Sequence, residues 1–216
     1  MFDLIHRDPR FYLINKHPGC SFHRQGEEPG LIETMRHVLA DEALWPVHRL
    51  DRPTSGLVLV ARSAAVARAL ADGFAERRVE KIYLALSDRK PARKQGAIRG
   101  DMIKGRGGAW RLTMACEHPA LTRFHTVSLR PGLRLFVLRP ETGKTHQLRV
   151  ALKSLGAPIL GDALYQGSDA DRTYLHAYAL SFELDGETLR FYCPPTIGAA
   201  FLLPELAAAL PDIQLR

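Results

Sequence analysis

The stretch His48-Arg49-Leu50-Asp51-Arg52-Pro53-Thr54-Ser55-Gly56 places one carboxylate between two arginines in a turn-forming segment, and Leu57–Ala61 behind it reads as a short, nearly continuous apolar strand. Ser63 then stands where it can cap a helix with Val66, Leu70 and Phe74 on one face. Val79–Leu86 alternates as a strand with both faces at least partly covered. The unit is therefore strand, helix, strand, entered through the aspartate turn. Opposite charge within a few ångströms favours an ionised carboxylate, and a carboxylate that stays charged can act as nucleophile or base. Taken alone, an aspartate between arginines more often belongs to an ion-pair cluster that braces a loop.

Upstream, Phe11–Asn15 predicts a strand that stops at the turn residues Pro18-Gly19, and Leu31, Ile32, Met35, Val38 and Leu39 recur at helical spacing. Downstream, residues 89–111 read as a basic, flexible excursion. Arg89, Lys90, Arg93, Lys94, Arg99, Lys104, Arg106 and Arg111 are opposed there only by Asp101, with glycines interspersed. Such a run is either a solvated surface hairpin or a phosphate contact. Leu121–Leu129 and Leu133–Leu138, joined by Pro131-Gly132, predict an antiparallel pair. The chain closes on Leu175–Phe182, a hairpin around Asp185-Gly186, and an apolar helix over 199–210.

Between these lies Glu141-Thr142-Gly143-Lys144-Thr145-His146-Gln147-Leu148-Arg149-Val150, which predicts a helix through about Leu155. Thr145 is the expected N-cap. Leu148, Leu152 and Leu155 share one face, and His146, Arg149 and Lys153 share another, so an apolar face backs a cationic one. Arg149 would then project near the helix start, where the dipole adds positive potential, and an anionic group belongs opposite it. Without other evidence this is an amphipathic surface helix.

With 216 residues and 46% hydrophobic content, the chain can bury a substantial core and fits one large domain or two small lobes sharing that core. The net charge of +7 points to an anionic partner, with nucleic acid ahead of a membrane surface. Cys20, Cys116 and Cys193 are odd in number and widely spaced, which argues against a disulfide framework or a cysteine zinc site and suits a reducing cytoplasm. The N-terminus carries acidic residues where an export signal needs a basic start, and no window approaches the roughly 20 apolar residues of a membrane span. His146 and His176 lack a third ligand at usable spacing, so no metal is expected. Nothing demands a partner chain, and a monomer is expected.

In order along the chain, His48-Arg49-Leu50-Asp51 with Thr54-Ser55-Gly56, Lys81-Ile82-Tyr83-Leu84-Ala85, Thr142-Gly143-Lys144-Thr145-His146-Gln147-Leu148-Arg149, Pro158-Ile159-Leu160-Gly161-Asp162 and Leu175-His176-Ala177 resemble the motifs of the RluA-type pseudouridine synthases. The likeness runs from about Phe11 to Pro195. It implies an α+β fold, with a mixed, largely antiparallel sheet in two lobes, flanking helices and a central cleft, and with it a single catalytic domain expected over 1–216 with no separate N-terminal RNA-binding module. It implies isomerisation of specific uridines in structured ribosomal or transfer RNA, without metal or cofactor. Asp51 would be the catalytic aspartate, Tyr83 would stack on the target base, and Arg149 would pair with Asp51. Leu148 or Val150 would wall the base pocket, and Arg49 would hold or replace the nucleotide turned out of the RNA. Lys144, His146 and His48 complete the expected RNA-facing set, His48 more as an organiser of the aspartate loop than as a proton carrier. In this scheme Thr54-Ser55-Gly56 forms the turn that presents Asp51 and Arg49, and Arg52 is structural.

The chain departs from the family pattern at His17, at Lys144 in place of the more frequent arginine, and at Val150-Ala151, where a histidine is common. None of these removes a required catalytic group. The alternatives are an RNA-binding or folding factor that kept the fold and lost turnover, and an aspartate-dependent hydrolase of a small phosphorylated metabolite. The last explains neither Tyr83 nor the motif order.

Overall fold

The computed structural model describes residues 1–215. In chain order the elements are β1 (Phe2–Arg7), β2 (Phe11–Lys16), α1 (Leu31–Leu39), β3 (Trp45–Pro46), β4 (Ser55–Ala61), α2 (Ala64–Ala75), β5 (Glu80–Ser87), β6 (Gln95–Gly100), β7 (Met102–Lys104), β8 (Trp110–Leu112), β9 (Ala120–Arg130), β10 (Leu133–Pro140), α3 (Gln147–Ser154), β11 (Leu175–Leu184), β12 (Glu187–Tyr192) and α4 (Pro204–Ala209). The α+β class is as expected. Two compact units emerge: Met1–Glu80 with Ala177–Pro194, and Lys81–His176 with the segment from Pro195 onward.

In the first unit the strand order is β1-β2-β4-β11, with β3 added to β4 and β12 to β11. Antiparallel register sets Phe11 opposite Ala61 and Leu13 opposite Leu59. These side chains form one core with Leu70 of α2 and with Leu180, Phe182 and Leu184 of β11, while Val66 and Phe74 pack against it. Tyr12, Ile14, Val58 and Val60 on the opposite face are equally buried, which is why β2 and β4 read as unbroken apolar runs rather than alternating ones. The helix α2 starts as expected, with the Ser63 hydroxyl accepting from the Val66 N–H at 3.3 Å. By contrast β1 was not legible, because it is an edge strand whose residues are mostly exposed and carry no apolar period.

Thr54-Ser55-Gly56 is not the turn that was expected. The turn closes earlier, where the Thr54 N–H donates to the Asp51 carbonyl at 3.0 Å, and Ser55 and Gly56 already lie in β4. Gly56 has φ +112°, and a Cβ there would sit 2.3 Å from the Ala177 carbonyl oxygen, so only glycine permits this approach of β11. Gly56→Ala is expected to cost about 2 kcal/mol or more, since both the backbone conformation and the packing oppose it. Urea unfolding measures this directly, and a midpoint equal to wild type would show that the strands do not need the approach.

In the second unit the order is β5-β10-β9-β6, all antiparallel, with β7 and β8 as a separate two-stranded hairpin. The predicted pair around Pro131-Gly132 is β9 and β10, and Leu135, Phe136, Val137 and Leu138 are fully buried on both faces of β10. The flexible excursion over 89–111 is corrected: Gln95–Gly100 is a sheet strand and Met102–Leu112 a hairpin with a turn at Arg106–Gly108. Gln95, Ala97 and exposed Arg99 alternate there with Gly96 and with buried Ile98 and Gly100, so the strand period is present with only one large apolar side chain to reveal it. The single terminal helix over 199–210 is also corrected. A 3₁₀ turn at Ala199–Leu202 gives way to α4, because Pro204 cannot donate into a preceding turn and instead opens a new helix.

Candidate active site

Asp51 sits half-buried in a turn fixed from several sides. Leu50 beside it is buried, and the next residue, Arg52, is tied down by main chain and side chain together. Its carbonyl accepts from the Gly19 N–H at 2.9 Å and from the Lys16 ammonium at 3.1 Å. Its guanidinium donates to the Gly19 carbonyl at 2.9 Å and to Gln25 at 3.1 Å. Arg52 thus has the bracing role expected of it, and Asp51 is the carboxylate the brace presents.

Lys16 is the residue that sequence alone did not single out here. It is fully buried, and its ammonium also donates to the carbonyls of His17 at 3.0 Å and Cys20 at 2.9 Å. A buried cation hydrogen-bonded to three carbonyls has its charge compensated by oriented dipoles. Lys16→Met removes the donor from the His17 and Cys20 carbonyls and leaves the Arg52 carbonyl only its bond from the Gly19 N–H, so we expect a loss of about 2–4 kcal/mol and a lower turnover through disorder at Asp51. Thermal unfolding with single-turnover kinetics checks both parts, and full activity at unchanged stability would dismiss Lys16 as an organiser.

His48 turns inward. Its Nε2 accepts from the Leu59 N–H at 2.9 Å where the β3–β4 ladder has ended, and its ring stacks on Phe74 with centroids 4.7 Å apart. A nitrogen that accepts carries no proton, so the ring organises the approach to Asp51. Arg49 is exposed and forms no ion pair among the described residues.

In the second unit Tyr83 stands on β5 opposite Leu138 and is half-buried. Lys81, two residues earlier on the same face, has its ammonium pKa pulled down by burial. The loop into α3 is organised by Gln147, another residue the sequence reading passed over. Its buried amide oxygen accepts from the Thr142 hydroxyl at 2.7 Å and the Lys144 N–H at 2.9 Å, and its nitrogen donates to the Leu121 carbonyl at 3.1 Å and to Thr122 at 2.9 Å. Lys144 itself is exposed. The N-cap is His146, not Thr145. It adopts φ +57°, a left-handed conformation that reverses the chain into the helix, and its Nδ1 lies 2.8 Å from the Tyr165 hydroxyl.

The cationic face predicted for α3 is corrected as well, because Arg149 is buried together with Leu148 and Val150. Its Nε and Nη2 donate to the two carboxylate oxygens of Asp162 at 2.7 and 2.8 Å, a forked pair in which the aspartate is 1% exposed. The Tyr165 ring lies 4.9 Å from the guanidinium carbon, and the Tyr165 hydroxyl accepts from the Trp110 N–H at 2.9 Å. Asp162 follows Gly161, whose Cβ would fall 1.8 Å from the Arg172 carbonyl, so glycine is required for the turn that delivers the carboxylate. Asp51 belongs to the first unit, and Tyr83 and Arg149 belong to the second.

Among the described residues no group of three or more His, Cys, Asp or Glu is placed to hold a metal ion, and no helix is long and apolar enough to cross a membrane. The family model for RNA pseudouridylate synthase matches residues 10–154. An uncharacterized RNA pseudouridine synthase of Haemophilus influenzae is 48% identical over 204 residues, covering 94% of this chain and 91% of that protein. The dual-specificity RNA pseudouridine synthase RluA of Pasteurella multocida is 34% identical, covering 89% of this chain and 93% of its own. Among solved structures, human RNA pseudouridylate synthase domain containing 1 superposes with a TM-score of 0.77 at 27% identity, over 96% of this chain and 87% of that one. The chain thus belongs to the RNA pseudouridylate synthase family and is an isomerase of the RluA type.

Proposed function

We propose that this synthase uses Asp51 as its catalytic carboxylate, Tyr83 as the platform for the target base and Arg149 as the cation assigned to that carboxylate, on uridines of structured ribosomal or transfer RNA. The reaction breaks the N1–C1′ bond of uridine, turns the captive uracil and joins C5 to C1′. N1 gains a proton and C5 loses one, so atoms balance without redox change or energy input. Asp51 attacks the sugar or base, or assists departure at C1′. An aromatic face suits Tyr83, because stacking does not fix in-plane orientation and lets the detached base rotate. The base must leave the stack for its C1′ and N1 to be reached, and exposed Arg49 is assigned to the nucleotide so displaced. Leu148 or Val150 walls the base, and Lys144 serves phosphate. Three widely spaced cysteines accord with a cytoplasmic setting.

The observation that carries this reading is the turn at Asp51. Lys16, Gly19, Arg52 and Thr54 fix its backbone and leave one half-buried carboxylate with an exposed arginine beside it. Mapping pseudouridine across total RNA with and without the gene tests it. Defined sites should disappear, return with the wild-type gene and fail to return with Asp51→Asn. An unchanged map, or rescue by Asp51→Asn, would favour an RNA-binding factor without turnover.

A further inference from the structure

Several arginines are matched by acids, among them Arg10 with Asp8, Arg62 with Asp41, Arg78 with Glu76 and Arg123 with Glu141. One hollow in the second unit instead gathers four cations around a single carboxylate. Where β5 ends and the β9–β10 hairpin turns, a cavity of about 330 Å³ is lined by Arg89, Lys90, Arg130 and Arg134, with Asp88 and Ser128. Among the described residues none of the four cations forms an ion pair, and Asp88 forms none either.

The backbone that presents these charges is fixed. The buried Ser87 hydroxyl donates to the Pro158 carbonyl at 2.8 Å and accepts from the Arg89 N–H at 3.3 Å, pinning the chain as it leaves β5. Gly132 turns the hairpin with φ +74°, and the β9–β10 register shifts between Leu133 and Arg134. Arg134 is half-buried, and its Nη1 donates to Thr126 at 3.3 Å. Four cations facing one carboxylate in a concave site repel one another, and an external anion relieves that repulsion. Guanidinium groups offer forked donors that fit phosphate oxygens.

We propose that this hollow binds the RNA backbone through phosphate, as a docking site separate from the base-binding residues; the proposal rests on the RNA-modifying reading above. In the β5–β10 pair Arg134 faces Ser87 while Leu138 faces Tyr83. Four residues of strand separate the two positions, about 13 Å. That is roughly four nucleotide steps at ~3.4 Å each along a stacked strand. The hollow therefore contacts RNA outside the target nucleotide and selects for substrates that extend far enough to reach it.

The test uses the full chain and an in vitro transcript of ribosomal RNA carrying 5-tritiated uridine. The triple variant Arg89→Ala/Lys90→Ala/Arg130→Ala should raise KM roughly tenfold near 0.1 M salt with kcat unchanged. The slope of log KM against log salt should fall by about 0.7, the single-strand value, for each phosphate that the variant no longer neutralises. Ser128→Asp, which sets a negative charge on the exposed wall, should act in the same direction and guards against a folding artefact. Unchanged KM and salt slope in both variants would overturn the proposal, as would loss of inorganic pyrophosphate binding with RNA kinetics intact, which would mark a small-anion site. If wild type releases no tritium, the synthase reading fails separately. The same transcript in filter binding then decides, and equal affinity of wild type and triple variant would overturn the docking site.

Discussion

Asp162→Asn is expected to destabilise the second unit by about 3–5 kcal/mol, the cost of breaking a buried ion pair from one side. The amide can still accept a hydrogen bond, but it no longer neutralises the guanidinium of a buried Arg149 that now donates through Nε and Nη2 to both carboxylate oxygens. At about 2–4 °C per kcal/mol for a chain of this size, the melting temperature should fall on the order of 10 °C. Activity should fall further than stability alone explains, because the aspartate also fixes the direction in which Arg149 points. Calorimetry with single-turnover assays below the variant's melting range separates the two effects. A melting temperature within a degree of wild type would mean the forked pair is not what holds Arg149.

Asp51→Asn should do the opposite, removing chemistry while sparing the fold. The hydrogen bond that closes the turn uses the Asp51 main-chain carbonyl, and the bonds that brace it belong to Arg52, Lys16 and Gly19, so the asparagine inherits all of them. RNA affinity should also survive, since the basic side chains are untouched. Turnover should drop by about 10²–10⁴-fold or more, the range associated with losing an acid–base or nucleophilic group. Residual activity within a few-fold of wild type would remove Asp51 from the reaction.

The elements legible in the sequence were those whose apolar period survives in the letters. The strands β2, β4, β9 and β10 and the helices α1 and α2 bury enough residues to show it, and Ser63 announces its cap. Invisible were β1, whose side chains face solvent at a sheet edge, and β6, where glycine and arginine occupy a strand period. At the site, Asp51, Tyr83 and Arg149 stood out through charge placement and resemblance. Their supports did not. Asp162 meets Arg149 across 13 residues through a turn that depends on Gly161, and no local pattern encodes that meeting. Lys16 follows Asn15 at the polar end of β2 and looks solvent-facing, yet its ammonium is consumed by carbonyls from three different residues. His146 caps α3 from a left-handed conformation that threonine, being β-branched, adopts poorly, so the cap expected at Thr145 moved one residue.

The central claim is that this chain isomerises uridine at C5. Purified protein incubated with RNA carrying 5-tritiated uridine should release tritium to water in an amount equal to the pseudouridine recovered after complete digestion of the same RNA. Absence of both, or tritium release without matching pseudouridine, would contradict it.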